Sequence, residues 1–303
     1  MTDLKGRHIT VVEVGPRDGL QNEGAAVSTA DKIEFVNRLS AARLPVIEVS
    51  AFVSPKWVPQ MADAGLVFAG ITRRPGTRYS ALVPNLTGLE RAQQAGVTEI
   101  AVFAASTETF SRKNINQSID DSFATYRQVC DAARAGGLRV RGYLSTAFGC
   151  PYEGAVSPAV VATLAARLID LGVFEVAVSD TIGIAHPGQI PGVLEALLAK
   201  VPVGRIALHF HDTRGTALAN VMAALEFGVA TFDSSAGGLG GCPYAPGAAG
   251  NVATDDLIYM LNGLGAETGV LLPAVSEASA FIESRLDHRL PSRYFQAIRA
   301  SRT

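Results

Sequence analysis

Glu13-Val14-Gly15-Pro16-Arg17-Asp18-Gly19-Leu20-Gln21-Asn22-Glu23 stands directly behind a short apolar run, Ile9 to Val14. That run reads as a strand rich in β-branched residues. It stops at Gly15-Pro16, a strong breaker pair. Arg17 and Asp18 then stand side by side at the strand's carboxyl end, the edge where parallel α/β folds bind ligands. Asp18 offers a hard oxygen ligand or a base, and Arg17 a fixed positive fork for an oxyanion. Alone, an Arg-Asp pair is an ordinary surface feature. The segments that follow give it another meaning.

A strand pattern alternates with a helix pattern along the rest of the chain. A helix over Ser28–Arg43 carries Ser28 as its N-cap and an apolar stripe of Ile33, Val36 and Leu39. Further strands are expected at Val46–Ser50, Tyr79–Val83, Glu99–Phe103, Arg139–Ser145, Phe174–Val178, Ile206–His211 and Val229–Asp233. The fourth is followed by a polar loop containing Ser111 to Asn114, and a helix starts near Ser118. The next helix states its own ends, with Ser157 as cap, Pro158 in the first turn and Gly172 after the last apolar residue. A final barrel helix is expected from about Thr254 to Leu264. Eight β-α units spell a (β/α)8 TIM barrel of the α/β class. An extra C-terminal helix, Ala274–Leu286, and a mobile tail complete the reading. No linker divides the chain, so residues 1–303 read as one domain, with the barrel over about 9–265 and a helical extension over about 270–303.

Composition suits a large covered core: 48% of residues are hydrophobic and 18% charged. A net charge of −2 gives no support to a nucleic-acid or membrane-surface role. No apolar run reaches the roughly 18 residues of a membrane span. The opening residues are too few and too polar for a signal peptide, and Ser301-Arg302-Thr303 is not a peroxisomal ending. Three cysteines, an odd number, argue for a reducing compartment. The expected location is the cytoplasm.

The chemistry gathers at strand ends. His209 and His211, two apart on one strand, face the same way and can chelate one ion without bending the chain. His8, His186 and His288 are isolated and read as surface residues. After the last strand, six glycines fall within positions 237–250, a segment able to hinge or to bring backbone close to a ligand. It carries Cys242 and ends at Asn251, whose amide oxygen is a neutral metal ligand. Gly-Cys-Pro-Tyr occurs at 149–152 and again at 241–244. Only the second copy is bracketed by glycines, so Cys242 is the catalytic candidate and Cys150 a structural one. Glu48 is a carboxylate within a strand, which is costly unless paired, and Arg17 is its natural partner. Asp180 is a further acid just past strand six.

Together these segments resemble the 3-hydroxy-3-methylglutaryl-CoA lyase family, within the metal-dependent lyase and Claisen-synthase barrel superfamily. The resemblance runs from about Val11 to Gly269. It is most specific at Glu13–Glu23, at Ser54-Pro55-Lys56-Trp57-Val58-Pro59-Gln60 and at Gly238–Asn251. Carried over by position, it implies Asp18, His209, His211 and Asn251 as ligands of Mg²⁺ or Mn²⁺. It implies Arg17, Asp18, Glu48, His209 and Cys242 as catalytic residues. Substrate contacts are expected at Arg17, Gln21, Tyr143, Asp180 and Thr181, with the CoA phosphates meeting Arg112, Lys113 and Asn114.

The implied reaction is a retro-Claisen cleavage of an acyl-CoA to acetyl-CoA and acetoacetate, as in leucine degradation and ketone-body metabolism, by a homodimer or higher oligomer. Asp255 departs from the Glu of many members, and Phe210 from the Cys that separates the histidines in some. No Cys follows Cys242, so the C-terminal regulatory cysteine of some animal members is absent. The alternatives are a lyase for a related 3-hydroxyacyl-CoA, a Claisen-condensing acyltransferase of the isopropylmalate or citramalate synthase kind, and a non-catalytic barrel binding metal or CoA. The condensing enzymes generally carry extra C-terminal domains and lack the loop Cys.

Overall fold

Short runs of β-branched and small apolar residues, each followed by a helix, cannot pair as hairpins and are driven into parallel register. The computed structural model describes residues 4–242 and 245–301, the side chains of 242–249 excepted. In chain order the barrel strands are β1 (Thr10–Glu13), β2 (Val46–Ala51), β3 (Arg78–Leu82), β4 (Glu99–Ala105), β5 (Arg139–Ser145), β6 (Val176–Asp180), β7 (Ile206–Phe210) and β8 (Thr231–Ser234). Each pairs in parallel with the next, and β8 returns to β1, Thr231 to Ser234 lying opposite Thr10 to Glu13. The result is the expected closed TIM barrel. Every residue of β2, β6 and β7 is buried, as strands covered on both faces must be.

Helices α1 (Thr29–Ala41), α2 (Ala64–Gly70), α3 (Leu86–Gln94), α4 (Glu108–Ile115), α5 (Ile119–Ala135), α6 (Pro158–Asp170), α7 (Ile190–Leu198), α8 (Ala217–Leu225) and α9 (Thr254–Gly263) accompany the strands. Ser28 caps α1 as its sequence predicts, its hydroxyl accepting from the Asp31 N–H at 3.1 Å. Ser157 precedes α6, but its side chain makes no capping bond, and the turn rests on Pro158 instead.

Five expectations need correction. The polar run Ser111 to Asn114 is not loop but α4, closed by Asn116 in the left-handed conformation (φ 55°) that Asn tolerates. Strand six starts two residues later than predicted, because the Phe174 carbonyl is taken by Arg205 Nε at 3.2 Å; Asp180 therefore lies within β6. The glycine-rich segment is not wholly irregular: β9 (Gly241–Cys242) and β10 (Ala245–Ala249) pair antiparallel.

The tail is also ordered as far as Ser301. The extra helix is present as α10 (Leu272–Glu283), and a second, α11 (Arg293–Ala300), follows it. The carboxylate of Asp256 on α9 accepts from Ser292 Oγ at 2.7 Å and from the backbone N–H of Tyr294 at 2.7 Å, which satisfies the start of α11. His288, though exposed, is not isolated: its Nε2 lies 2.8 Å from Glu23 Oε2.

Candidate active site and metal centre

The turn after β1 is one tight π-type turn, Gly15–Gly19, in which the Val14 carbonyl accepts from the N–H groups of Arg17, Asp18 and Gly19. Gly15 is required there, since a Cβ would stand 2.6 Å from Glu13 Oε1. This winding turns both side chains toward the barrel mouth. Arg17 Nε donates to Glu48 Oε2 at 2.5 Å, and Nη1 donates to Asp18 Oδ1 at 2.5 Å. The guanidinium carbon lies 5.5 Å from the centre of the Tyr143 ring.

At the same mouth, β7 and the residue that follows it deliver His209 and His211, both buried, with ring centres 5.2 Å apart. A backbone bridge between His211 and Asn251 brings the end of the glycine-rich segment to the same place. Gly240 (φ 114°) lets it pass, because a Cβ there would press within 2.9 Å of the Asn251 amide nitrogen. Asn251 Nδ2 donates to Asp18 Oδ2 at 3.0 Å and to the Leu239 carbonyl at 3.3 Å.

One ligand atom from each of Asp18, His209 and His211 lies within 4.8 Å of the others. His211 Nδ1 and Asn251 Oδ1 are buried with no hydrogen-bond partner. Orphaned acceptors of this kind are costly unless something binds them. A set of imidazoles, a carboxylate and an amide oxygen, with no thiolate, fits a hard divalent cation. Asp18, His209, His211 and Asn251 would hold it.

Electrostatics agree with that use at Asp18 and His211. Burial pushes Asp18 upward, but Arg17 first, then the two histidines and the Asn251 bond, hold its carboxyl well below the usual carboxylate range. Burial lowers His211 to about 4, with His209 adding to the effect, so its ring is neutral and free to ligate. Burial also lifts Asp180 to about 6 and Tyr143 well above its ordinary value.

The structure thus gathers Arg17, Asp18, Glu48, Tyr143, His209, His211 and Asn251 at one mouth. Gln21 sits half-buried just beyond the turn. Asp180 is buried, and its two oxygens accept from the N–H groups of Ile184 and Ala185 at 3.0 Å, so it holds the loop after β6. Thr181 accepts from the Thr146 N–H at 2.8 Å. Arg112, Lys113 and Asn114 are exposed on α4. Cys242 belongs to β9, but its side chain lies outside the described residues. Cys150 is buried, with its sulfur 3.1 Å from Thr107 Oγ1, as a structural residue would be.

The sequence reading passed over Asp233, Arg141 and Glu13. Asp233 Oδ2 lies 3.2 Å from His209 Nδ1, and Arg141 grips the same carboxylate. The signal that singled out Glu48, an acid inside a strand, applied equally to Asp233.

The family model "HMGL-like" matches residues 8–282. The chain belongs to the HMGL-like family. A rat protein named hydroxymethylglutaryl-CoA lyase, mitochondrial, is 53% identical over 291 residues, covering 96% of this chain and 90% of the relative. The crystal structure of a hydroxymethylglutaryl-CoA lyase from Pseudomonas aeruginosa superposes with a TM-score of 0.97 at 52% identity, over 99% of this chain and 100% of the other. A lyase from Acinetobacter baumannii, in complex with coenzyme A and 3-methylmalate, gives a TM-score of 0.91 at 38% identity, over 96% and 95% of the two chains. The match to the Pseudomonas aeruginosa structure spans the barrel and its C-terminal extension, not the mouth alone.

Proposed function

We propose that this protein is a carbon-carbon lyase that cleaves 3-hydroxy-3-methylglutaryl-CoA to acetyl-CoA and acetoacetate. The observation that carries the reading is the convergence of Asp18, His209 and His211 within 4.8 Å, beside an Arg17 fixed by Glu48. Names and structures of the relatives at 53% and 52% identity favour the same activity over a condensing acyltransferase.

A divalent ion, Mg²⁺ or Mn²⁺, when bound, supplies acidification of the substrate's 3-hydroxyl. Asp18 then takes the hydroxyl proton. The Arg17 contact that keeps Asp18 ionised also makes it a weak base. The C2–C3 bond breaks as the C3 oxygen becomes the ketone of acetoacetate, and its electron pair passes into the enolate of acetyl-CoA. Arg17 stabilises the enolate oxygen. Glu48 holds the guanidinium in register, and His209 relays the proton that completes the acetyl group. Cys242 closes over the mouth or shares that step, and Gln21, Tyr143, Asp180 and Thr181 shape the acyl pocket.

The CoA portion extends toward α4, where Lys113 Nζ lies 4.6 Å from the centre of the half-exposed Tyr152 ring, a cation and an aromatic face together. Asn114 stands beside it. We further propose a homodimer or higher homo-oligomer in the cytoplasm. Cys130 and Cys150 are free thiols, and among the described residues no helix is long and apolar enough to cross a membrane.

Incubation with hydroxymethylglutaryl-CoA and its close analogues, with Mg²⁺, Mn²⁺ or excess chelator, tests the reading. Acetyl-CoA and acetoacetate should appear in equal amounts and only with metal. Full turnover in chelator, with metal content verified as nil, removes the metal; preference for an analogue replaces the substrate.

A further inference from the structure

Behind His209 a buried polar chain crosses the barrel. His209 on β7 and Asp233 on β8 are register partners, so their side chains share the interior face. His209 Nδ1 lies 3.2 Å from Asp233 Oδ2. Arg141, from β5, reaches across to donate Nη2 to Asp233 Oδ1 at 2.8 Å and Nη1 to Oδ2 at 3.1 Å. Its Nε donates to Glu175 Oε1 at 2.8 Å, and Nη1 also reaches the Tyr143 hydroxyl at 3.0 Å. All five residues are buried, and the Asp233 side chain is 0% exposed.

A buried charge network of this size is weak support for stability, since apolar residues of similar volume usually serve as well. Its effect is on placement. Two charge-assisted bonds from Arg141 leave the Asp233 carboxylate a single orientation and keep it an acceptor. An acceptor facing Nδ1 forces the imidazole proton onto that nitrogen and leaves Nε2 as the lone pair. His211 differs, since its Nδ1 has no partner. One histidine is oriented by the protein and the other is free.

We propose that Asp233, clamped by Arg141, is the positioning residue that fixes the tautomer and ring plane of His209 and so presents Nε2 to the divalent ion. This rests on the metal site proposed above.

Asp233→Asn tests it with little change of shape. Arg141 claims the amide oxygen through the shorter of its two bonds, which leaves the amide N–H₂ facing His209 Nδ1. A donor there makes Nδ1 an acceptor and moves the proton to Nε2. Mn²⁺ affinity, followed by electron paramagnetic resonance, should weaken by roughly tenfold to a hundredfold, with the circular dichroism of the parent retained. His211→Ala is the control for the site itself. The second measurement is the imidazole ¹⁵N spectrum of the Mg²⁺-saturated parent, which should show His209 neutral with its proton on Nδ1.

Loss of affinity in both variants with that spectrum supports the proposal. Loss in His211→Ala with parental affinity in folded Asp233→Asn overturns it and leaves the metal site standing. Parental affinity in both variants overturns the metal site and this inference together. A parent spectrum with the proton on Nε2 overturns the inference even if Asp233→Asn does not fold.

Discussion

Two buried polar clusters meet the seam between β1 and β8, and they are finished differently. In the mouth cluster, His211 Nδ1 and Asn251 Oδ1 have no partner. The second cluster is a clasp. Glu13 accepts from the N–H groups of Gly15 and Ala236 at 2.9 Å and from Thr254 Oγ1 at 2.7 Å. Asp255 accepts from the Gly237 N–H at 2.7 Å, from Ser276 Oγ at 2.8 Å and from Ser279 Oγ at 2.9 Å. Every carboxylate oxygen of the clasp is used. Burial and charge are common to both clusters, so neither separates a binding site from a structural one. Between these two clusters the difference is saturation joined to convergence: the clasp carboxylates are fully used, while the unpartnered atoms of the mouth lie beside the gathered ligand atoms of Asp18, His209 and His211.

The largest expected effect lies at the mouth. Arg17→Gln should lower kcat by about a thousandfold, or ~4 kcal/mol, because the enolate oxygen gains its charge only in the transition state. KM and Mn²⁺ affinity should move little. If kcat per folded molecule stays near that of the parent and only the melting temperature falls, Arg17 belongs with the clasp.

Thr254→Val probes the clasp in return. It removes the bond to Glu13 and the 2.7 Å contact with Ser234 Oγ while keeping the shape. Unfolding free energy in urea should drop by about 1–3 kcal/mol, with Mn²⁺ affinity unchanged. A stable variant with weakened metal binding erases the distinction between the clusters.

Cys242→Ser should be milder. Activity should fall by about tenfold, with stability within about 1 kcal/mol of the parent. If Cys150→Ser is the one that loses turnover, the wrong Gly-Cys-Pro-Tyr has been assigned.

The smallest effect is a slope. Burial lifts Glu13 from 4.5 to about 7, so between those values the folded chain keeps a proton that the unfolded chain releases. This group's contribution to stability is full below about pH 4.5 and is lost as pH rises through 7. His211, lowered from 6.5 to about 4, works oppositely: its contribution is full above 6.5 and is lost as pH falls toward 4. In chelator, the melting temperature of the parent minus that of Glu13→Gln should shrink from pH 5 to pH 7. A flat difference would show that Glu13 stays ionised within the clasp.

The barrel and most of the mouth were legible in sequence because their signals are local. β-branched runs, breaker pairs and the His-x-His spacing each sit within a few residues. The pairing of Arg17 with Glu48 followed from the cost of burying a lone acid. Asp233 was not read, although it obeyed the same rule, because the Arg141 that clamps it lies 92 residues away, against 31 between Arg17 and Glu48. The start of α11 was also not read, although Ser292 caps it locally by accepting from the Phe295 N–H at 3.1 Å; the Asp256 carboxylate that completes the cap lies 36 residues earlier. α4 escaped because its charged, solvent-facing run carries too few apolar residues for a periodic stripe.

The seam has a consequence for how the chain is born. Glu13 finds Ala236 and Thr254 at separations of 223 and 241 residues, and Asn251 reaches Asp18 across 233. Contacts so distant in sequence incur their loop-closure entropy before they return anything. A nascent chain halted before β8 therefore holds Asp18, Arg17 and both histidines but lacks Asp233, Asn251 and the clasp. Ring closure and completion of the mouth are one event, so partly synthesised or partly refolded molecules should bind no metal tightly, and the appearance of Mn²⁺ binding during refolding reports the joining of the first strand to the last.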